Sequence, residues 1–215
     1  MENCPIARFV RRRRKEARPA ELTTAALEVF AEKGFAATRL EDIAARAGAS
    51  KGTVYLYFEN KEALFKAAVE TAMAPALEAA EALAAEGSKP AAELLREFIL
   101  GWWQMVGSTA LGGVPKLLVA EAQNFPEVAR WFHDKIISRA HAAMSRIIEL
   151  GIARGEFRAM DAKIAARVVF APMFSYILWR RSFADCMRDL PEPEVFLAYA
   201  VDLLGNGLAV REPAK

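Results

Sequence analysis

Lys51, Thr53, Tyr55 and Tyr57 follow a turn of small residues, Ala47-Gly48-Ala49-Ser50. Each sets a hydrogen-bonding tip on an apolar stem or ring, the kind of group that reaches phosphate oxygens and base edges in a DNA groove. Val54 and Phe58 stand four apart between them, a helical spacing that turns these two inward and the polar set outward. For Tyr55 the alternative is a place in the small core beneath.

Such a face needs two short helices meeting at a tight angle. Thr38 is the expected N-cap of the first, with Glu41 completing a capping box and Leu40, Ile43, Ala44 and Ala47 facing inward. Gly48 can take the positive φ that turns the chain, and Ser50 caps the second helix over 51–57. Small residues at 44, 45 and 47 allow close approach, giving a helix-turn-helix pattern. Ahead of it, Leu22, Ala25, Ala26, Val29 and Phe30 predict a helix over 19–33, ended by Gly34. Behind it, a helix from Lys61 carries Leu64, Phe65, Ala68 and Val69, with Pro75 as a possible kink point.

Residues 1–18, with Arg11–Lys15 and Arg18, are expected to form a basic flexible tail that Pro19 separates from the first helix. It is either a bystander or an arm laid on DNA. Lys and Arg outnumber Asp and Glu over 1–66 and are outnumbered after it, although the whole chain carries only +2. The N-terminal third is therefore the end suited to phosphates.

The stretch from Gly34 to Phe65, GFAATRLEDIAARAGASKGTVYLYFENKEALF, resembles the DNA-binding signature of the tetracycline-repressor (TetR) family. The preceding TTAALEVFAEKGF extends the resemblance back into the first helix. It implies that Thr38 points a helix N-terminus at a phosphate and that Lys51, Gly52 and Thr53 approach bases. Ser50 stands in the same constellation. Tyr55 and Tyr57 would contact phosphates or sugars, and Lys61 would anchor a phosphate. Arg39 stands where the family often has a small hydroxyl or apolar residue, and is a further candidate for a phosphate contact. The partner implied is a double-stranded DNA operator, bound by a homodimer as an inverted repeat.

The rest of the chain reads as helices over 90–107, 115–123, 126–154, 161–189 and 192–208, so the expected fold is all-α. The expected division is 1–18 as tail, 19–65 as reader and 66–215 as a ligand-binding and dimerisation domain. Phe98, Trp102, Phe132, Met144, Met173, Phe174 and Tyr176 are the candidate walls of a cavity for an apolar, aromatic inducer, with a cationic group left open. For any one of them, plain core is the competing role. Val195, Phe196, Tyr199, Leu203 and Leu204 give the last helix a broad apolar face for a second copy. The segment PKLLVAEAQNFPEVARWFHDKI, with GIARGEFR after it, loosely resembles the sensor domains of multidrug and solvent efflux repressors in that family.

Other chemistries find little support. There is no Gly-rich phosphate loop, Gly-x-Ser-x-Gly or His-Glu-x-x-His, so no enzyme is expected. His133 and His141 lie about 80° apart around a helix and make a poor metal pair, and no cofactor is expected. Two cysteines, one of them Cys4, imply no disulfide framework, and a reducing cytoplasm is the simpler setting. No secretory signal and no membrane-spanning run are expected. A repressor and an activator would share these features, as would a DNA-binding regulator without a ligand.

Overall fold

The computed structural model describes the backbone of residues 5–184, 186–187 and 189–210, and the side chains of these residues from Arg18 onward. The chain is all-α. Its helices are α1 (Pro5–Lys33), α2 (Leu40–Arg46), α3 (Lys51–Tyr55), α4 (Lys61–Ala85) and α5 (Ala91–Trp102). They are followed by α6 (Gly113–Glu121), α7 (Pro126–Phe132), α8 (Ser138–Ala153), α9 (Ala162–Phe183) and α10 (Pro193–Leu208). Among the described residues the one strand-like pairing is an antiparallel bridge between Phe157 and Ala209.

Two departures from expectation concern helix starts. The backbone is helical from Pro5 through Pro19, so residues 5–18 belong to α1 rather than to a separate tail. Pro19 removes one intrahelical hydrogen bond, while Arg, Lys and Ala around it favour helix. Arg18 is part of the folded unit: it pairs with Glu21 at 2.8 Å and donates to the Ala47 carbonyl at 3.3 Å. The second departure is the cap of α2. Thr38 Oγ1 donates to the Gly34 carbonyl at 2.6 Å and is therefore spent on closing α1. Arg39 takes the N-cap position, and its N–H donates to Asp42 Oδ2 at 3.1 Å. The expected Thr38–Glu41 box is thus replaced by a one-sided cap from Asp42, since an arginine side chain has no acceptor to complete it.

A first core joins the helix-turn-helix to the front of the C-terminal helices. Phe30, Phe35 and Phe65 meet with ring centroids 5.1–5.4 Å apart, and Phe125, between α6 and α7, sets its ring 4.7 Å from Phe35. Leu22, Ile43, Val54 and Leu64 seal it, and the same cluster continues through Met73 and Leu77 of α4 to Leu118, Phe132 and Ile136. The expected domain boundary at 65/66 falls inside α4, which runs unbroken through Pro75. A second core, around Leu94, Leu95, Ile99, Met144 and Ile147, packs α5, α8, α9 and α10. Arg139 on α8 grips Glu81 on α4 at 2.8 and 3.0 Å.

Two helices carry π turns. α5 continues into Trp103–Gly107, and α7 runs through His133–Ile137 into α8. α9 is long and apolar enough to cross a bilayer by length and composition, which was not expected. Lys163 and Arg167 interrupt its apolar run, and Ala166, Val169, Met173 and Ile177 face the core.

Candidate DNA-reading face and ligand cavity

The reader is organised by Gly48, whose φ of +58° turns the chain between α2 and α3 in the left-handed region that favours glycine. Ser50 Oγ accepts from the Thr53 N–H at 3.1 Å and lies 2.9 Å from Thr53 Oγ1, so both hydroxyls are engaged in starting α3. Val54 is fully buried, and the face opposite it is exposed. Tyr55 is 51% exposed, so it stands outside the core. Lys51 lies beside it, with Nζ 5.8 Å from the Tyr55 ring and 2.5 Å from Glu41 Oε1. The hydrogen bond from Lys51 holds the Glu41 carboxyl below its usual range, and the same contact raises the Lys51 ammonium.

The nine expected DNA-contacting residues separate into two groups. Arg39, Ser50, Lys51, Gly52 and Tyr55 are exposed, and Thr53 and Tyr57 are half-buried on the same element or just beyond it. Thr38 is only 2% exposed, so its side chain is not presented to a phosphate. Lys61 Nζ donates to the carbonyls of Phe35, Ala36 and Thr38 at 2.7, 3.2 and 3.1 Å and sits 4.7 Å from the Phe35 ring. An ammonium has three donors, and here all three are taken. Lys61 fastens α4 to the α1–α2 turn instead of reaching outward. Leu56, at 80% exposure, was missed: it lies about 200° around the helix from Val54, so spacing alone could have placed it outside.

Behind the reader lies a cavity of about 410 Å³. Its walls come from α4, α5, α6, α7, α8 and α9. Trp102, Phe132, Met173 and Phe174, all expected wall residues, line it. Phe98 stands behind Trp102, their rings stacked at 6.2 Å and 6°. Met144 is fully buried in the second core. Tyr176 is drawn away toward α10, where its ring stacks on Phe196 at 4.3 Å and its hydroxyl donates to the Pro191 carbonyl at 2.6 Å. These three are not lining residues.

The π turns also supply wall residues, Val106 from the first, four residues beyond Trp102, and Ile136 and Ile137 from the second, at helical spacing from Phe132, Ala140 and His141. The ionisable lining residues are His141 on α8 and Arg167 on α9. The His141 ring lies 4.7 Å from that of Phe170, and burial, followed by the charges of Arg167 and His133, depresses its pKa. The imidazole is thereby favoured in its neutral form.

Helix α10 presents Tyr199 and Leu203, each 68% exposed, together with the exposed Val195. Phe196 and Leu204 are half-buried, Phe196 against Tyr176. On α9, Ile164 and Val168 are exposed and adjoin Leu203 and Leu204 along one surface depression.

Two family models match the chain. One, for the N-terminal region of bacterial regulatory proteins of the tetR family, matches residues 22–68. The other, for a tetracyclin repressor-like C-terminal domain, matches residues 92–186. An uncharacterised HTH-type transcriptional regulator of Bacillus subtilis, YfiR, is 29% identical over 178 residues, covering 82% of this chain and 85% of that protein. Among solved structures, FadR from Bacillus subtilis in complex with stearoyl-CoA superposes with a TM-score of 0.70 at 22% identity, over 88% of this chain and 98% of that one. SmeT, the repressor of the Stenotrophomonas maltophilia multidrug efflux pump SmeDEF, also gives 0.70, at 23% identity, over 92% of this chain and 97% of that one. With a helix-turn-helix at one end, a helical C-terminal domain at the other and family matches in both, the chain belongs to the TetR family of DNA-binding transcriptional regulators.

Proposed function

We propose that the protein is a cytoplasmic repressor that binds an inverted-repeat operator as a homodimer and is released by a small apolar or aromatic inducer. The observation that carries this reading is the double connection between cavity and reader. Helix α4 lends Met73 to the cavity wall and begins at Lys61, which holds the turn ahead of α2. Helix α6 lends Leu118, and at its end Glu121 Oε1 accepts from the Ala36 N–H at 3.3 Å. Phe125, just beyond, packs on Phe35. A ligand that repositions α4 or α6 therefore pulls on both sides of the same turn.

The exposed stripe of Ile164, Val168, Val195, Tyr199 and Leu203 supports pairing with a second copy, since apolar residues gathered this way gain by being covered. Two-fold pairing would place the recognition helices about 34–36 Å apart, matching successive major grooves. Release is then a population shift: the inducer must bind the splayed arrangement better than the groove-spaced one. Arg39, Lys51, Gly52, Thr53 and Tyr55 are the residues assigned to DNA, with Tyr57 flanking them.

The test is to select a bound fragment from random DNA, measure its affinity by fluorescence anisotropy, and titrate in apolar compounds. An inverted-repeat fragment, bound by two chains and released by at least one compound class, is expected. Binding as a monomer, or a complex indifferent to every compound that enters the cavity, would overturn the reading.

A further inference from the structure

FadR with stearoyl-CoA and the efflux repressor SmeT give the same TM-score, so fold likeness does not select a ligand class. The cavity lining does. Along α9, Arg167, Phe170, Ala171 and Phe174 follow one another at helical spacing on the cavity face. This wall begins with a cation and continues as hydrocarbon and aromatic ring. His141 faces the same end, its ring against Phe170.

Among the described residues the charge at that end has no counter-ion. Arg46 and Arg139 are each held by glutamates. Arg167 makes no ion pair among the described residues, and no acidic side chain stands among those lining the cavity. A cationic ligand would meet Arg167 with no acidic lining residue to offset the repulsion. An anion would receive a charge-assisted, planar donor from Arg167, with the His141 ring beside it as a second donor. Arg167 is exposed at the mouth, so the charged end of a ligand can stay partly hydrated while its body is buried.

We infer that the inducer is an apolar acid, with its hydrocarbon or aromatic body in the cavity and its anionic group at the Arg167–His141 end. This rests on the ligand-released reading and narrows it, setting aside the cationic option left open by the sequence. The volume of about 410 Å³ suits a single body of modest size.

The test uses the full-length protein and three probes sharing one chain: dodecanoate, methyl dodecanoate and dodecyltrimethylammonium, all below their micellar concentrations. Binding is followed by tryptophan fluorescence, since Trp102 lines the cavity, and operator release by anisotropy. Dodecanoate should bind about tenfold or more tighter than the ester or the cation, the scale expected of hydrogen bonds to a charged group. Arg167→Gln should bring dodecanoate down to the level of the ester while leaving the ester unchanged, which also shows that the cavity is intact. Arg167→Lys should retain part of the preference.

Equal affinity for all three probes, or an Arg167→Gln variant that keeps the preference for the acid, overturns the inference. If the ester alone binds and releases operator, the ligand-released reading stands and the acid inference falls. If no probe binds the wild-type protein, the acid inference falls, while the ligand-released reading is decided by the wider titration of apolar compounds.

Discussion

The reader and the cavity use their polar side chains in opposite ways. In the reader several polar groups near the turn are engaged within the protein. Thr38 closes α1, Ser50 caps α3, Asp42 serves both α2 and Lys33, and Lys61 spends three donors on carbonyls. In the cavity two ionisable groups stand among apolar neighbours, and Arg167 makes no ion pair among the described residues. A short helix-turn-helix has little apolar area, so its geometry depends on hydrogen bonds and a few rings. The C-terminal helices have apolar area to spare and keep their packing with Arg167 left out of any ion pair among the described residues.

The comparison is sharpest at Phe35 and Lys61, which hold the turn ahead of α2. Phe35 touches Phe30, Phe65, Phe125 and the Lys61 ammonium. Phe35→Ala should cost about 3–5 kcal/mol of stability, the largest effect expected here, read from denaturant unfolding. Lys61→Ala should cost about 1–3 kcal/mol, because three carbonyls lose their donor. A Lys61→Ala protein of unchanged stability but weakened operator binding would return that residue to the DNA-contacting set.

Tyr55→Ala should do the reverse. Operator binding at fixed salt should weaken by about 1–3 kcal/mol, while unfolding stays within about 0.5 kcal/mol of wild type. Comparable losses in both measurements would place Tyr55 in the core after all.

The smallest expected effect is on pH dependence. Burial and neighbouring cations depress His141, so the unfolded chain takes up its proton at higher pH than the folded chain does. The contribution is present above the ordinary histidine value, near 6.5, and is lost as pH falls through the folded pKa. His141→Gln should flatten that part of the stability profile, and an unchanged profile would mean that His141 is not desolvated in solution.

Much of this was legible in the sequence wherever short-range spacing decides structure. The Val54–Phe58 pair, Gly48 and the Ser50 cap fix the helix-turn-helix from neighbours a few positions away. Thr38 was misread because two acceptors and donors compete one residue apart, and the carbonyl that captured its hydroxyl lies at the end of the preceding helix. The carbonyls that Lys61 meets lie 23–26 residues away in sequence, beyond the reach of local spacing. In the sensor, Trp102, Phe132, Met173 and Phe174 were found from residue type. Val106, Ile136 and Ile137 lie at helical spacing from Trp102, Phe132 and His141, but as plain aliphatics they carry no signal by type that separates a cavity wall from core. Tyr176 followed a partner on α10 that no local pattern specifies.

The most direct test of the coupling between cavity and reader is a closed thermodynamic cycle. Dodecanoate or another cavity-binding probe is titrated with and without operator, and operator with and without probe, for wild type and Phe125→Ala. In wild type the two factors should be equal, because coupling is reciprocal. In Phe125→Ala, where the contact between the α6–α7 junction and Phe35 is removed, probe affinity without operator should be kept while the coupling factor falls toward one. Equal probe affinity with and without operator in the wild-type protein would contradict the account.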